Sequence, residues 1–208
     1  LMPELSRSLP RSWRASKAWS DLSVGREGGP MPLQVLACME AWLSTQTTPA
    51  AKVAADMIFP AVDGYLREQD LLGLRARDVC VADDQVVLML GRSDRGDRSK
   101  TGRDQGVSLD DPYSRGVFLR RLQGLGPDAH VFPITAAQYR LWWGKAGRAV
   151  LGGKAHVPSP HSARHTGASR DLAEGYRTFS QVQRRGRWKV PGSVQRYAKT
   201  YVWRAIEC

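Results

Sequence analysis

Apolar side chains recur at three- and four-residue intervals from Leu33 onward, at Leu36, Cys38-Met39 and Trp42-Leu43, a spacing that predicts an amphipathic helix. Thr48-Pro49 offers a capping position followed by the proline favoured in a first helical turn, and predicts a second helix running towards Phe59. Pro60 and Gly64 are expected to break it, since proline lacks the N–H that a helix interior uses. Asp70, Leu71, Leu72 and Leu74 predict a short helix carrying Arg67 near its start. From Val79 the period shortens to two: Val79 to Val81, an Asp83-Asp84 turn, Gln85 to Leu90 and Gly106 to Leu109 read as antiparallel strands. Helical spacing returns over Pro112 to Leu122, Ala136 to Val150, Ser162 to Glu174, Phe179 to Arg187 and Ser193 to Trp203. Thr135 with Gln138 and Thr178 with Gln181 have the capping-box spacing, in which hydroxyl and amide each satisfy a backbone N–H at a helix start. The expected class is therefore mainly α with a small antiparallel three-stranded β-sheet. Residues 1 to 32, rich in Ser, Pro, Gly and Arg and without a sustained period, read as a linker or N-terminal arm, and the folded domain is expected over 33 to 208.

Composition narrows the classes. At 208 residues, 42% hydrophobic and 25% charged, the chain is long and apolar enough for one domain with a real core, which excludes a disordered or fibrous protein. The three cysteines, Cys38, Cys80 and Cys208, are odd in number and widely spaced, so neither a disulfide framework nor a metal site is expected, and a reducing compartment is. The longest apolar runs, such as Val86 to Leu90, fall far short of a membrane span, and no basic-then-apolar signal opens the chain; no membrane partner is expected. A first residue of Leu1 rather than Met points to a piece of something longer.

Charge supplies the first indication of a partner. Lys and Arg number 31 against 20 acidic residues, a net +11. The surplus sits late: between Lys154 and Arg204 eleven basic residues face two acidic ones, Asp171 and Glu174. A single-sign field of this kind attracts a polyanion such as a nucleic-acid backbone, with a solvated basic face, or a nuclear address in Arg184 to Lys189, as the alternatives.

Four segments carry residues capable of chemistry. Gly64 to Val79 contains Arg67, which on its own reads as a solvated residue of an amphipathic helix. Ser99 to Arg103 places Lys100 at the tip of the presumed hairpin, where a basic glycine turn is ordinary. Pro160 to Gly167 holds His161 and Arg164, three apart, so that both address one anion near a helix start; His156 has no motif around it. Gly186-Arg187-Trp188-Lys189 precedes Gln195-Arg196-Tyr197-Ala198-Lys199, which alone reads as a packed Trp and Tyr on a basic helix.

The joint order is more specific than any part. Arg67, a hairpin lysine, His161-x-x-Arg164, Gly186-x-Trp188, and a tyrosine nine residues beyond that tryptophan form a series that resembles the tyrosine recombinases, or phage-integrase-type recombinases, from about Leu33 to Trp203. The run from Tyr65 through Asp70 and Asp78 to Val79, Trp188 where many members have His, and the lead-in Leu9 to Arg14 look most like recombinases of eukaryotic mobile elements. The resemblance implies that family's catalytic-domain fold, with Tyr197 as nucleophile, Arg67 and Arg164 as the arginine pair, and Lys100 as the hairpin lysine. It also implies His161 as the helix histidine and Trp188 at the His/Trp position, with Asp70 and His165 in support. Ser162, Arg170, Arg177 and Lys199 are expected DNA neighbours, each with a solvated surface position as its alternative.

What the resemblance implies about function is site-specific DNA cleavage and rejoining through a 3′-phosphotyrosyl intermediate, without metal, ATP or other cofactor. Double-stranded DNA is the implied partner, with self-association as a tetramer on two sites, in the nucleus if the source is eukaryotic and otherwise in the cytoplasm or nucleoid. A type IB topoisomerase or telomere-resolving enzyme shares this chemistry, and a catalytically silent DNA-binding protein is the alternative of another class. The residues before the first helix are too few for the family's N-terminal core-binding domain, which is expected to be absent. The residue types suit the chemistry independently. Two guanidinium forks match the planar charge of a pentacoordinate phosphate, and a phenol of pKa about 10 needs a base or positive field to attack. A departing 5′-oxygen needs an acid, the role assigned to Lys100.

Overall fold

The computed structural model describes residues 29–83, 85–92, 96, 104–152 and 156–195. Its elements in chain order are α1 (Leu33–Ser44), α2 (Pro49–Asp63), α3 (Glu68–Leu72), a 3₁₀ turn (Ala76–Asp78), β1 (Val79–Ala82), β2 (Gln85–Leu90) and β3 (Gln105–Leu109). They are followed by α4 (Pro112–Leu122), α5 (Ala136–Leu151), α6 (His161–Ala173), α7 (Phe179–Arg185) and α8 (Pro191–Gln195).

α2 is the hub. Ala51, Val53, Ala54, Ala55, Met57, Ile58, Ala61 and Val62 are all buried, so the helix is apolar around most of its circumference and takes neighbours on several sides. It lies against α1, α4, α5 and α6. α1 contributes Leu36, Met39 and Leu43, the interior stripe its spacing predicts, while Cys38 faces solvent. Pro60 does not end α2, contrary to expectation: the helix runs on to Asp63, and Gly64 donates back to the Pro60 carbonyl as its cap. The proline removes the bond to the Asp56 carbonyl within the last turn, where its buried ring adds apolar contact instead.

The sheet has the order β1-β2-β3, antiparallel throughout, with Val79 opposite Leu88 and Leu88 opposite Val107. Val86, Leu88 and Leu90 on β2 and Val107 and Leu109 on β3 form its buried face, the two-residue period resting against α4. The Asp63 carboxylate accepts from the backbone N–H groups of Asp110 and Asp111, tying the end of α2 to the start of α4.

Both capping boxes form, Thr135 with Gln138 on α5 and Thr178 with Gln181 on α7. Thr48 occupies the cap position of α2 without a side-chain bond. α7 stops at Arg185, two residues earlier than the pattern predicts, because Gly186 caps it and Arg187 turns to φ +57°. Ahead of α1, Pro30 and Met31 are buried although the pattern assigns them to the arm. The Met31 backbone exchanges two hydrogen bonds of 2.8 Å with the Thr166 hydroxyl on α6. No helix among the described residues is long and apolar enough to cross a membrane, and no cluster of candidate metal ligands occurs among them.

Candidate active site

Lys100, Tyr197 and Lys199 lie outside the described residues. Of the other residues singled out, Arg67, Asp70, Arg164 and Trp188 come together, with His161 and His165 along the first two turns of α6.

The meeting point is the bend between α2 and α3. Tyr65 follows the helix cap with φ +46°, a left-handed conformation rare outside glycine. Its carbonyl accepts from the guanidiniums of both Arg164 and Arg187. Its ring sits 6.2 Å from that of Trp188, and its hydroxyl donates to Asp171. Gly167 on α6 makes this approach possible, since a Cβ there would overlap the Val62 carbonyl and the Tyr65 ring. Gly186 does the same on the other side, where a Cβ would collide with the Trp188 ring.

Arg67 caps α3, and its backbone N–H donates to Asp70 Oδ2 at 3.0 Å. Its guanidinium stands 3.8 Å from the same carboxylate, with Nη1 buried and lacking a hydrogen-bond partner. Asp70 therefore braces Arg67 in two ways, through the backbone and through charge. Arg164, on the second turn of α6, has 0% exposure. It donates to the Tyr65 and Gly186 carbonyls and lies 4.5 Å over the Trp188 ring, a cation–π contact. Trp188 is itself 8% exposed and belongs to a small core of Tyr65, Ala168, Val182 and Val194. His161 is exposed at the start of α6 and meets the buried His165 edge to face at 5.1 Å.

The expected DNA neighbours fare differently. Ser162 is 1% exposed, turned inward on the first turn of α6, and presents nothing to a duplex. Arg177 is engaged by Asp171 and Asp110 in an internal ion-pair chain. Arg170 is half-buried, 5.4 Å over the Tyr176 ring. The late basic surplus is thus partly internal. Arg185 is bound to Asp63 and Asp110, Arg187 to Asp70, and Arg164 to backbone carbonyls.

Arg187 is the residue that sequence reasoning passed over. It is 5% exposed, with Nη2 2.7 Å from Asp70 Oδ2, and it lines an open hollow of about 420 Å³ with Gln105, Gly106, Arg184, Trp188 and Lys189. Its place between Gly186 and Trp188 was the signal available, and charge alone gave it no rank over Arg184 or Arg185. A second hollow of about 360 Å³ lies on the Asp171 side of Tyr65, among Asp63, Asp110, Asp171, Arg170 and Arg177.

Burial separates the phenols. Desolvation, aided by the Asp171 carboxylate, pushes Tyr65 far above its ordinary range, and burial does the same to Tyr139. Partial desolvation and a bond to Glu40 push the more exposed Tyr113 up to about 12. None of these three is an activated nucleophile.

No protein-family model and no curated protein sequence matches the chain. Solved structures do. The XerH site-specific recombinase bound to palindromic difH substrate in a post-cleavage complex has a TM-score of 0.67 at 14% identity, covering 89% of this chain and 54% of its own. The Tn1549 transposon integrase in complex with transposon right-end DNA has 0.62 at 16%, covering 88% and 67%. The catalytic domain of bacteriophage HP1 integrase has 0.56 at 13%, covering 84% and 89%. The chain thus spans about half the length of the XerH chain and most of the isolated HP1 catalytic domain. With mostly helical layers around a three-stranded antiparallel sheet, this chain has the fold of a tyrosine-recombinase catalytic domain.

Proposed function

We propose that the chain is the catalytic domain of a DNA strand transferase that cleaves and rejoins one phosphodiester at a time through a 3′-phosphotyrosyl intermediate. The observation that carries this reading is the convergence of Arg67, Asp70, Arg164 and Trp188, drawn from three parts of the chain, about the bend at Tyr65, with Trp188 and Arg187 lining a basic hollow beside it. The structural likeness to recombinases whose structures contain DNA supports the same partner.

In this reading the Tyr197 phenolic oxygen attacks the scissile phosphorus and loses its proton towards His161. The P–O bond to the 5′-oxygen breaks, Lys100 protonates that oxygen, and the phosphate remains esterified to Tyr197. Attack by a 5′-hydroxyl reverses the step, so bond energy is kept and no external energy source is consumed. Arg67 supplies preorganised charge to the non-bridging oxygens. Arg164 and Trp188 act as one unit: the indole face holds the guanidinium plane, and movement of its Nη atoms from the carbonyls to phosphate brings the arginine into the reaction. The burial of Tyr65 and Tyr139, and the raised pKa of all three phenols, support the assignment of the reaction to a tyrosine elsewhere in the chain. Assembly as a tetramer on two DNA sites belongs to the same proposal.

Covalent capture tests it. A pool of nicked duplexes of randomised sequence, incubated with the protein, is expected to yield a denaturant-resistant protein–DNA adduct that Tyr197→Phe abolishes while DNA binding persists. Binding of the pool by wild type with no adduct supports a silent DNA-binding protein and overturns the transferase. Relaxation of supercoiled plasmid without site preference supports the topoisomerase instead.

A further inference from the structure

We infer that Arg187 is a further phosphate-contacting residue of the site, forming with Arg67 a pair of guanidiniums that share the single carboxylate of Asp70 and keep donors for a DNA phosphate oxygen. The inference rests on the strand-transfer reading and adds a residue to that site.

Three observations carry it. First, the local charges do not balance: Arg67 and Arg187 both address Asp70 Oδ2, at 3.8 and 2.7 Å. Asp70 is 6% exposed and Arg187 5%, so water screens this excess poorly. Second, donors remain. Arg187 spends Nη2 on Asp70 and on the Tyr65 carbonyl at 3.3 Å, while Nε and Nη1 are buried without a hydrogen-bond partner, as is Nη1 of Arg67. Buried guanidinium donors left unsatisfied are costly, and an oxyanion is the group that relieves them bidentately. Third, the position is enforced. Arg187 adopts φ +57°, a left-handed conformation unfavourable for a residue with a Cβ, held between the capped end of α7 and the buried Trp188. The hollow it lines contains Arg184 and Lys189 and no acidic residue, and its other wall, Gln105 and Gly106, is the start of β3, on the C-terminal side of the segment bearing Lys100.

Arg164 sharpens the argument. Its terminal nitrogens are engaged by carbonyls at 0% exposure, whereas Nη1 of Arg67 and Nε and Nη1 of Arg187 hold no hydrogen bond that a phosphate would have to replace.

The test uses a mixed-sequence 30-base-pair duplex as probe, with affinity measured across a salt series for wild type, Arg187→Gln and Arg187→Lys, alongside thermal melting. Each phosphate neutralised contributes about 0.9 to the slope of log affinity against log salt. Arg187→Gln is expected to lower the slope by about one and weaken low-salt binding roughly tenfold. Arg187→Lys is expected to keep the slope and lose roughly threefold, since a point charge replaces a planar fork. A role limited to neutralising Asp70 would lower the melting temperature and leave slope and affinity of the folded Gln variant at wild-type values, and that result overturns the inference. Should the Gln variant not fold, wild-type affinity in the Lys variant overturns it equally. If wild type binds no duplex, the strand-transfer reading itself fails, an outcome distinct from failure at Arg187 alone.

Discussion

Arg164 and Arg67 have the same side chain and opposite situations, and their truncation separates structure from chemistry. Arg164→Ala strands the Gly186 carbonyl, leaves the Tyr65 carbonyl to Arg187 alone, and opens a void beneath the Trp188 ring. With about 1–3 kcal/mol for each buried polar group left unpaired, it should lose roughly 2–5 kcal/mol of stability in urea unfolding. Arg67, 18% exposed and bound to Asp70 at 3.8 Å, contributes far less to the fold. Arg67→Ala should leave the urea midpoint near wild type and reduce the rate of adduct formation roughly 100- to 1000-fold, the range for loss of one preorganised donor. Motif order singled out both arginines, and the resemblance implied Asp70 as a brace, a contact with Arg67 that the fold contains. Their unequal burial was not legible, because it depends on Tyr65 and Gly186, residues 99 and 22 positions from Arg164 whose carbonyls converge only in the fold. Ser162 illustrates the same limit: its type suits a phosphate contact, but the rotation of α6 against α2 turns it inward.

Among the elements, the contact between α2 and α6 is the closest constraint on the site. Gly167→Ala places a methyl against backbone at Val62 and against the Tyr65 ring, neither of which yields as a flexible side chain would. The expected cost is at least the ~1–3 kcal/mol of ordinary overpacking, read as a lowered urea midpoint, with a loss of adduct formation because Tyr65 anchors Arg164. Thr178→Ala should cost only about 1 kcal/mol, since it removes one cap at the exposed start of α7. Helix and strand placement was legible from period alone in most of the chain, and both capping boxes were readable from spacing. The pattern failed at two backbone events. Pro60 is tolerated because its missing bond falls in the last turn of a helix held by burial, and α7 stops early because Gly186 must leave room for Trp188.

For the whole molecule, the net charge of +11 already counts the carboxylates that pair internally with Arg177, Arg185 and Arg187, so those pairs fix where the positive charge sits and leave its total unchanged. The overall sign still predicts DNA affinity that falls steeply with salt. The phenols with raised pKa make a second molecular-scale prediction. A group whose folded pKa is raised supports the fold fully below its unfolded value of about 10 and loses that support as pH rises through the folded value. For Tyr113 the window is therefore pH 10 to about 12. Tyr65 and Tyr139, raised further, should show no phenolate absorbance until the protein unfolds in base.

The most direct measurement of the central claim is mass-spectrometric identification of the amino acid that carries DNA after covalent capture and nuclease digestion. The account predicts a nucleotide joined through its 3′-phosphate to Tyr197 and to no other tyrosine, and its disappearance in Arg67→Ala. A nucleotide found on a different residue, or captured DNA held through its 5′-phosphate, would contradict it.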